Sequence, residues 1–171
     1  MRRTRGFSLV ELLVVMAMIG IIAVISAPAF LNFSRASSMR ASLLGFSSDF
    51  RDLRQVAITR SIRVKMSFAA GGPTNTRYVA FESTDGGTTW TNLLAPRKTF
   101  PRSLEKGVYF QSTTYTDIAG DSDSRPDIVF FPNGSVTSGT VVLRTDWDIA
   151  FNNYSIAVGP VGQMTTTKSH V

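Results

Sequence analysis

From Phe7 to about Ala27 the chain is apolar almost without interruption, and the stretch carries a single carboxylate, Glu11. A helix rising ~1.5 Å per residue needs about 20 such residues to cross the ~30 Å hydrocarbon core of a bilayer, and this run supplies them. An acid at the centre of a membrane helix costs roughly 2.5–3.5 kcal/mol on insertion scales, so a chain that carries one there needs a partner for it. Cutting the backbone after Gly6 would create that partner, because the freed α-amino group of Phe7 is a cation about one helical turn from Glu11. Read this way, the chain is a precursor whose cut end and buried acid belong to one device.

Three arginines, Arg2, Arg3 and Arg5, precede the apolar run. The positive-inside tendency places them in the cytoplasm and everything after Pro28 on the far side of the membrane. They also account for half of the formal net charge of +6; without them 15 basic side chains face 12 acidic ones, an ordinary surface balance. A secretory signal peptide cut after Ala29, at Ala27-Pro28-Ala29, is the competing reading. The length of the apolar run and the acid inside it both count against that alternative. The chain has no cysteine, which excludes disulfides, thiolate catalysis and thiolate-bound zinc.

The stretch Gly6-Phe7-Ser8-Leu9-Val10-Glu11-Leu12-Leu13-Val14-Val15 resembles the class III signal of type IV pilins and type II secretion pseudopilins. The resemblance implies that a prepilin peptidase cuts after Gly6 and methylates the new N-terminal Phe7. Glu11 then becomes the fifth residue of the mature chain, and Pro28 falls where many family members kink the helix. Other pilins or pseudopilins and an inner-membrane assembly platform are the implied partners. Residues 1–6 are thus a cleaved basic leader, and 7–28 a membrane and assembly helix.

Beyond Pro28 the pattern becomes amphipathic. Leu43, Phe46, Phe50, Leu53 and Ala57 fall on one helical stripe, with Arg40, Arg51 and Asp52 well away from it and Ser47, Asp49 and Arg54 at its flanks. This predicts an amphipathic helix over 29–60, continuous with the apolar half; Asn32 to Ser42 is small and polar, suited to solvent or neighbouring subunits. From residue 61 to 171 the period changes to two. Strands are expected at Arg63–Ala69, Tyr78–Ser83, Gly107–Ser112, Asp127–Phe131, Thr140–Arg144 and Ser155–Val158. Gly71-Gly72-Pro73, Asp85-Gly86-Gly87 and Pro132-Asn133-Gly134 supply turns, the last reading as a hairpin that returns through Ser135-Val136. Thr165 to Val171 reads as a frayed end. A long N-terminal helix packed on an antiparallel β domain gives the α+β class. Leu53–Val64, Ile128–Val136 and Ser155–Val158 followed by Gly162 are similar to the corresponding passages of the GspH/FimT group, while Thr74 to Asp117 matches little.

Four carboxylates in one loop, Asp117, Asp121, Asp123 and Asp127, raise calcium as a cofactor, since that ion takes about six to eight oxygens. Their spacing departs from the EF-hand pattern, Arg125 stands among them, and a solvated turn is the favoured reading; no cofactor is expected. DNA is the alternative partner, because some FimT-type minor pilins capture it through a Gly-Arg-x-Arg motif. Here the matching stretch is Gly162-Gln163-Met164-Thr165, with neutral residues at both arginine positions. Arg60, Arg63, Lys65 and Lys168 are the remaining candidates for phosphate contacts. The single histidine, His170, is next to last, and no Gly-rich phosphate loop or metal-ligand cluster accompanies it, so no enzyme is read here. Trp90, Trp147, Tyr109, Tyr115 and Tyr154 read as core aromatics rather than an adhesion surface. The resulting expectation is a minor pilin or pseudopilin, a structural subunit with its β domain outside the inner membrane, and a DNA-binding minor pilin is the alternative.

Overall fold

A computed structural model describes residues 8–93, 100–118, 124–146 and 153–169, apart from the side chain of Ala29. A single α-helix, α1 (Leu9–Arg60), contains both the apolar and the amphipathic segments. The chain divides into two units, Met1–Ser37 and Ser38–Val171, taken in turn.

In the first unit the large apolar side chains of α1 are exposed on every side, Leu9, Leu13, Ile19, Ile22 and Ile25 among them. The helix is long and apolar enough to cross a membrane. Pro28 lies inside it and has no N–H to donate, and the Ser26 hydroxyl bonds one turn back, donating to the Ile22 carbonyl at 2.8 Å.

In the second unit the expected stripe is the buried face of α1: Phe46, Phe50, Leu53 and Ala57 are all buried, and Leu43 packs partly against them. Met39 and Ser42 are buried as well, and Ser42 accepts the Glu105 N–H at 2.9 Å. The domain therefore claims the end of the small, polar stretch assigned to solvent or neighbours. The helix stops at Ser61, whose φ of 52° is left-handed. Ile62 N–H donates to the Ala57 carbonyl at 3.2 Å and Ser61 N–H to the Ile58 carbonyl at 3.3 Å, the paired bonds of a Schellman cap.

The strands are β1 (Arg63–Phe68), β2 (Arg77–Ser83), β3 (Thr91–Asn92), β4 (Arg102–Ser103), β5 (Val108–Thr113), β6 (Asp127–Phe130), β7 (Gly139–Thr145), β8 (Asn153–Val158) and β9 (Met164–Ser169). They form two antiparallel sheets, ordered β3-β2-β1-β6 with β4 also on β2, and β5-β7-β8-β9. The core unites both sheets with the helix. Phe50 meets Phe130 edge-on at 4.8 Å, Phe46 meets Tyr78 at 5.6 Å and Phe110 at 5.9 Å, and Phe68 lies 4.8 Å from Phe110. Each buried aromatic of this kind contributes roughly 1.5–3 kcal/mol through burial. Strand β6 is buried along its whole length.

Three expectations change. The C-terminal segment is not frayed, because Met164–Ser169 pairs with β8 without a break in register, from Val158↔Met164 to Asn153↔Ser169. Consecutive threonines favour extended backbone, and Gly162, at φ 74°, closes the hairpin that delivers them. The turn at Pro132-Asn133-Gly134 does form, with Phe131 N–H donating to the Ser135 carbonyl at 2.9 Å, yet its return leg makes only one bridge, Phe130↔Val136. The chain then leaves for the other sheet. Two short strands, β3 and β4, arise where no strand was expected.

Candidate functional site

Gly6 and Phe7, the proposed cut site, lie outside the described residues. Glu11 sits in the first turn of α1, where acids are favoured by the exposed N–H groups and the helix dipole, and it is exposed. The Leu12 N–H donates to the Ser8 carbonyl at 3.2 Å, so helical bonding already brackets Glu11. From Ser8 to Ser34 no other residue is charged. From Leu9 to Ile25 the helix therefore presents an apolar surface bearing one carboxylate.

Among the described residues the β domain holds an ion pair buried on both sides and another in which the acid alone is buried. Asp49, 1% exposed, accepts a 2.6 Å bond from the Tyr78 hydroxyl and is gripped by Arg102, whose Nε lies 3.1 Å from Oδ2 and whose Nη1 lies 3.3 Å from Oδ1. Burial first, then the bond to Asp49, push the Tyr78 phenol above its usual range. Burial alone does the same to Tyr115, whose hydroxyl donates to the Thr137 carbonyl at 3.1 Å. The second pair is Lys65 and Asp127, with Nζ 3.5 Å from Oδ2. The Lys65 ammonium also lies 4.9 Å from the Phe81 ring centre and 5.1 Å from that of Trp90. Asp127 in turn accepts bonds from the Ser67 hydroxyl and, at 3.3 Å, from the Ile118 N–H.

These contacts revise the candidate ligand residues. Lys65 is 1% exposed and held against Asp127 and two rings, so it is not a surface contact for phosphate. Asp127 is a buried counter-ion rather than an open calcium ligand, because its oxygens face Lys65, Ser67 and the Ile118 amide. Asp117 is exposed, and Asp121 and Asp123 lie outside the described residues. Arg60 pairs with Glu82 at 3.0 Å, the Arg63 guanidinium sits 5.4 Å from the Phe131 ring centre, and Lys168 is on β9. Arg60 and Arg63 are thus engaged in separate local contacts, and Lys168 lies on the other sheet. His170 and Trp147 lie outside the described residues, Tyr109 and Tyr115 are buried, and Trp90 and Tyr154 are half-buried.

A cavity of about 340 Å³ opens beside Asp127, between Tyr115, Ile118, Val129 and the hydroxyls of Thr114, Thr116, Thr137 and Ser138. Thr137 Oγ1 accepts the Val129 N–H at 2.9 Å and Thr114 Oγ1 accepts the Thr140 N–H at 2.8 Å. Asp127 and Tyr115 are engaged as well, so most of the polar side chains lining this cavity serve the fold. Among the described residues, no group of three or more His, Cys, Asp or Glu side chains could hold a metal ion.

Sequence reasoning missed Asp49, Arg102 and Arg54. Arg54 leaves the helix to donate from Nε to the Gly134 carbonyl at 2.8 Å, and it packs so closely on Gly162 that a Cβ there would lie 2.8 Å from Nε. One helix side chain thus anchors both turns. The position of Asp49 and Arg54 beside the apolar stripe was the available signal.

The N-terminal 27 residues match the model of the prokaryotic N-terminal methylation motif, and residues 45–162 match that of the type II transport protein GspH. Among curated proteins none matches. The fold is similar to the minor pseudopilin EpsH from the type 2 secretion system of Vibrio cholerae, with a TM-score of 0.55 at 13% identity, over 75% of this chain and 95% of that one. It is also similar to the type IV minor pilin FimU of Pseudomonas aeruginosa, with a TM-score of 0.53 at 9% identity, over 79% and 92% of the two chains. The methylation motif, the exposed apolar helix and the two-sheet domain all agree: the chain belongs to the GspH family and is a minor pseudopilin or minor pilin, a subunit of a type II secretion pseudopilus or a type IV pilus.

Proposed function

We propose that the chain is made as a precursor, cut between Gly6 and Phe7 by a prepilin peptidase, methylated on Phe7 and stored in the inner membrane. Its N-terminus then faces the cytoplasm and its β domain lies outside. An assembly platform moves it into a filament, where the apolar half of α1 exchanges lipid for the helices of other subunits. The subunit is structural: its own chemistry is limited to being cut, methylated and packed. The observation that carries this reading is the exposed apolar helix with Glu11 as its one charge. Leaving lipid for other helices loses little for an apolar surface, so packing and the pairing of polar groups decide the association. Glu11 pairs with the Phe7 amine of its own chain before assembly and with a neighbour's in the filament, where it acts as a register pin, since a subunit out of step leaves its carboxylate unpaired.

The test compares wild type with Glu11→Ala and Gly6→Ala in cells that contain the peptidase and the filament machinery. Mass spectrometry of the N-terminus should find wild type and Glu11→Ala starting at a methylated Phe7, and Gly6→Ala uncut. Sheared filaments should contain wild type and lack both variants. An uncut wild-type chain refutes the precursor reading, and Glu11→Ala at wild-type levels in filaments refutes the register pin.

A further inference from the structure

Among the described residues strand β9 has one sheet neighbour, β8, and it ends the order β5-β7-β8-β9. Met164 packs partly against the core and the other five residues are exposed, so beyond Met164 the strand overhangs the core, and among the described residues its outer edge is open. Natural edge strands are usually blunted by proline, bulges or several charges. Here there is no proline, the register with β8 is unbroken, and Lys168 is the only charge in the whole β8–β9 hairpin.

The ladder shows which backbone groups face outward. Gly159 N–H donates to the Gln163 carbonyl at 2.9 Å, which makes 159 and 163 a hydrogen-bonded pair. Counting along the register, Thr165, Thr167 and Ser169 bond inward to Ala157, Ser155 and Asn153. Met164, Thr166 and Lys168 therefore point their N–H and C=O groups away from the sheet.

We propose that this edge pairs with itself: two copies of the chain join antiparallel along β9, on a two-fold axis through Thr166. In that register Thr166 faces Thr166 of the partner subunit, and Met164 faces Lys168 of the partner subunit on either side. Every outward N–H and C=O of both strands then finds a partner. The two lysines lie at opposite ends instead of facing each other, and the flanking pairs are threonine on threonine, a favourable cross-strand combination. Shifting the register by one pair leaves an end residue unbonded, and shifting it further sets lysine against lysine. The match of unpaired groups and charge is what selects a second copy over an unrelated strand. A single strand pair buries less than the roughly 1,000 Å² typical of stable interfaces. The association is therefore weak in free solution and favoured where both chains are held on one membrane, which raises their effective concentration. The inference does not depend on the filament reading.

The test uses the full-length chain in membranes, and the absence of native cysteine keeps it clean. Thr165→Cys and Thr167→Cys chains with different affinity tags are co-expressed and mildly oxidised. In the proposed register these positions form a non-hydrogen-bonded pair with Cα atoms about 4.5 Å apart, within disulfide reach. The mixed disulfide should exceed either homodimer, and a control at the exposed Thr88→Cys, by about fivefold or more, because a two-residue offset of about 7 Å exceeds that reach. Adding Thr166→Pro to both chains should abolish it while leaving the melting profile intact, since the lost N–H faces away from β8. Mixed dimer no more abundant than the controls overturns the proposal, as does mixed dimer that survives Thr166→Pro. Cross-linking of these cysteines to a different protein, or β9-dependent retention of DNA, without the mixed dimer likewise assigns the edge to another occupant and overturns it.

Discussion

Replacing Asp127 with alanine tests the buried ion pair most directly. The substitution removes the counter-ion 3.5 Å from Lys65 and leaves an ammonium on a side chain that is 1% exposed. The rings of Phe81 and Trp90, at 4.9 and 5.1 Å, stay in place and compensate in part. Cation–π contacts of this kind contribute about 0.5–2 kcal/mol, whereas stranding one member of a buried pair costs about 3–5 kcal/mol. The net loss should be about 1–4.5 kcal/mol, and a domain of this size shifts its melting temperature by about 3–4 °C per kcal/mol. Asp127→Ala should therefore melt about 3–18 °C below wild type in a calorimetric or circular-dichroism scan. The double variant Lys65→Met/Asp127→Ala removes the stranded charge and fills its place with an unbranched apolar chain, so it should recover at least half of the loss. Asp127→Ala melting within about 2 °C of wild type, or a double variant as unstable as the two single losses added together, would refute the reasoning.

The phenols of Tyr78 and Tyr115 titrate above their ordinary value of 10.0, so the unfolded chain releases these protons first and stability should fall as pH rises through about 10, by about 1.4 kcal/mol per pH unit per tyrosine; urea unfolding at stepped alkaline pH reads the slope, and Tyr115→Phe should reduce it. The Asp85 carboxylate is held well below its usual range by the hydroxyls of Ser83 and Thr89 and by the amides of Thr88 and Thr89, so the turn it organises is complete above about pH 4 and loosens progressively as pH falls below it. Hydrogen exchange at Thr88 and Thr89 should quicken on acidification relative to the sheet amides, and Asp85→Asn should abolish that difference. Gly162→Ala should cost more than Gly86→Ala, because both have positive φ, 74° and 79°, but only at Gly162 does the new Cβ meet Arg54, at 2.8 Å; the left-handed backbone alone accounts for about 1–2 kcal/mol at either site. Equal melting temperatures would show that Arg54 yields freely.

The sequence was legible wherever a pattern had one cause. Phe46, Phe50, Leu53 and Ala57 follow a helical stripe because a single partner surface buries them, and they are buried. Val64, Met66 and Phe68 alternate for the same reason on β1. The alternation did not reveal that Lys65, taken as a candidate phosphate contact, is buried. There the second face of β1 is also covered, by Phe81 and Trp90 above Lys65, and the charge was kept by pairing it with Asp127. Strand β9 failed for the opposite reason. It buries almost nothing, so no alternation marks it, and its pairing follows from the turn at Gly162 and from threonine's preference for extended backbone. The proposed processing site rests on Gly6, Phe7 and Glu11 as residue types at a fixed spacing, without recourse to packing, and that stretch matches the methylation motif.

The two halves of α1 carry different kinds of information. The domain half has a stripe, so its rotation about its own axis is fixed: turning it by half a turn would put Ser48 and Asp52 where Phe46 and Phe50 sit among the core rings. The apolar half has no such stripe, and a cylinder that is apolar on every side packs nearly as well in many rotations and many axial positions. Something other than apolar area must then select one arrangement, and Glu11 is the single charge available to do so. One charge can set a height along a neighbouring helix, because mispairing strands a carboxylate in apolar surroundings. It cannot distinguish this subunit from any other that carries the same acid at the same place. The identity of the subunit must therefore reside in the β domain, in features such as the open edge of β9 and the two turns that Arg54 anchors. Swapping the first 37 residues for those of another pilin should preserve that identity, whereas altering β9 should change it.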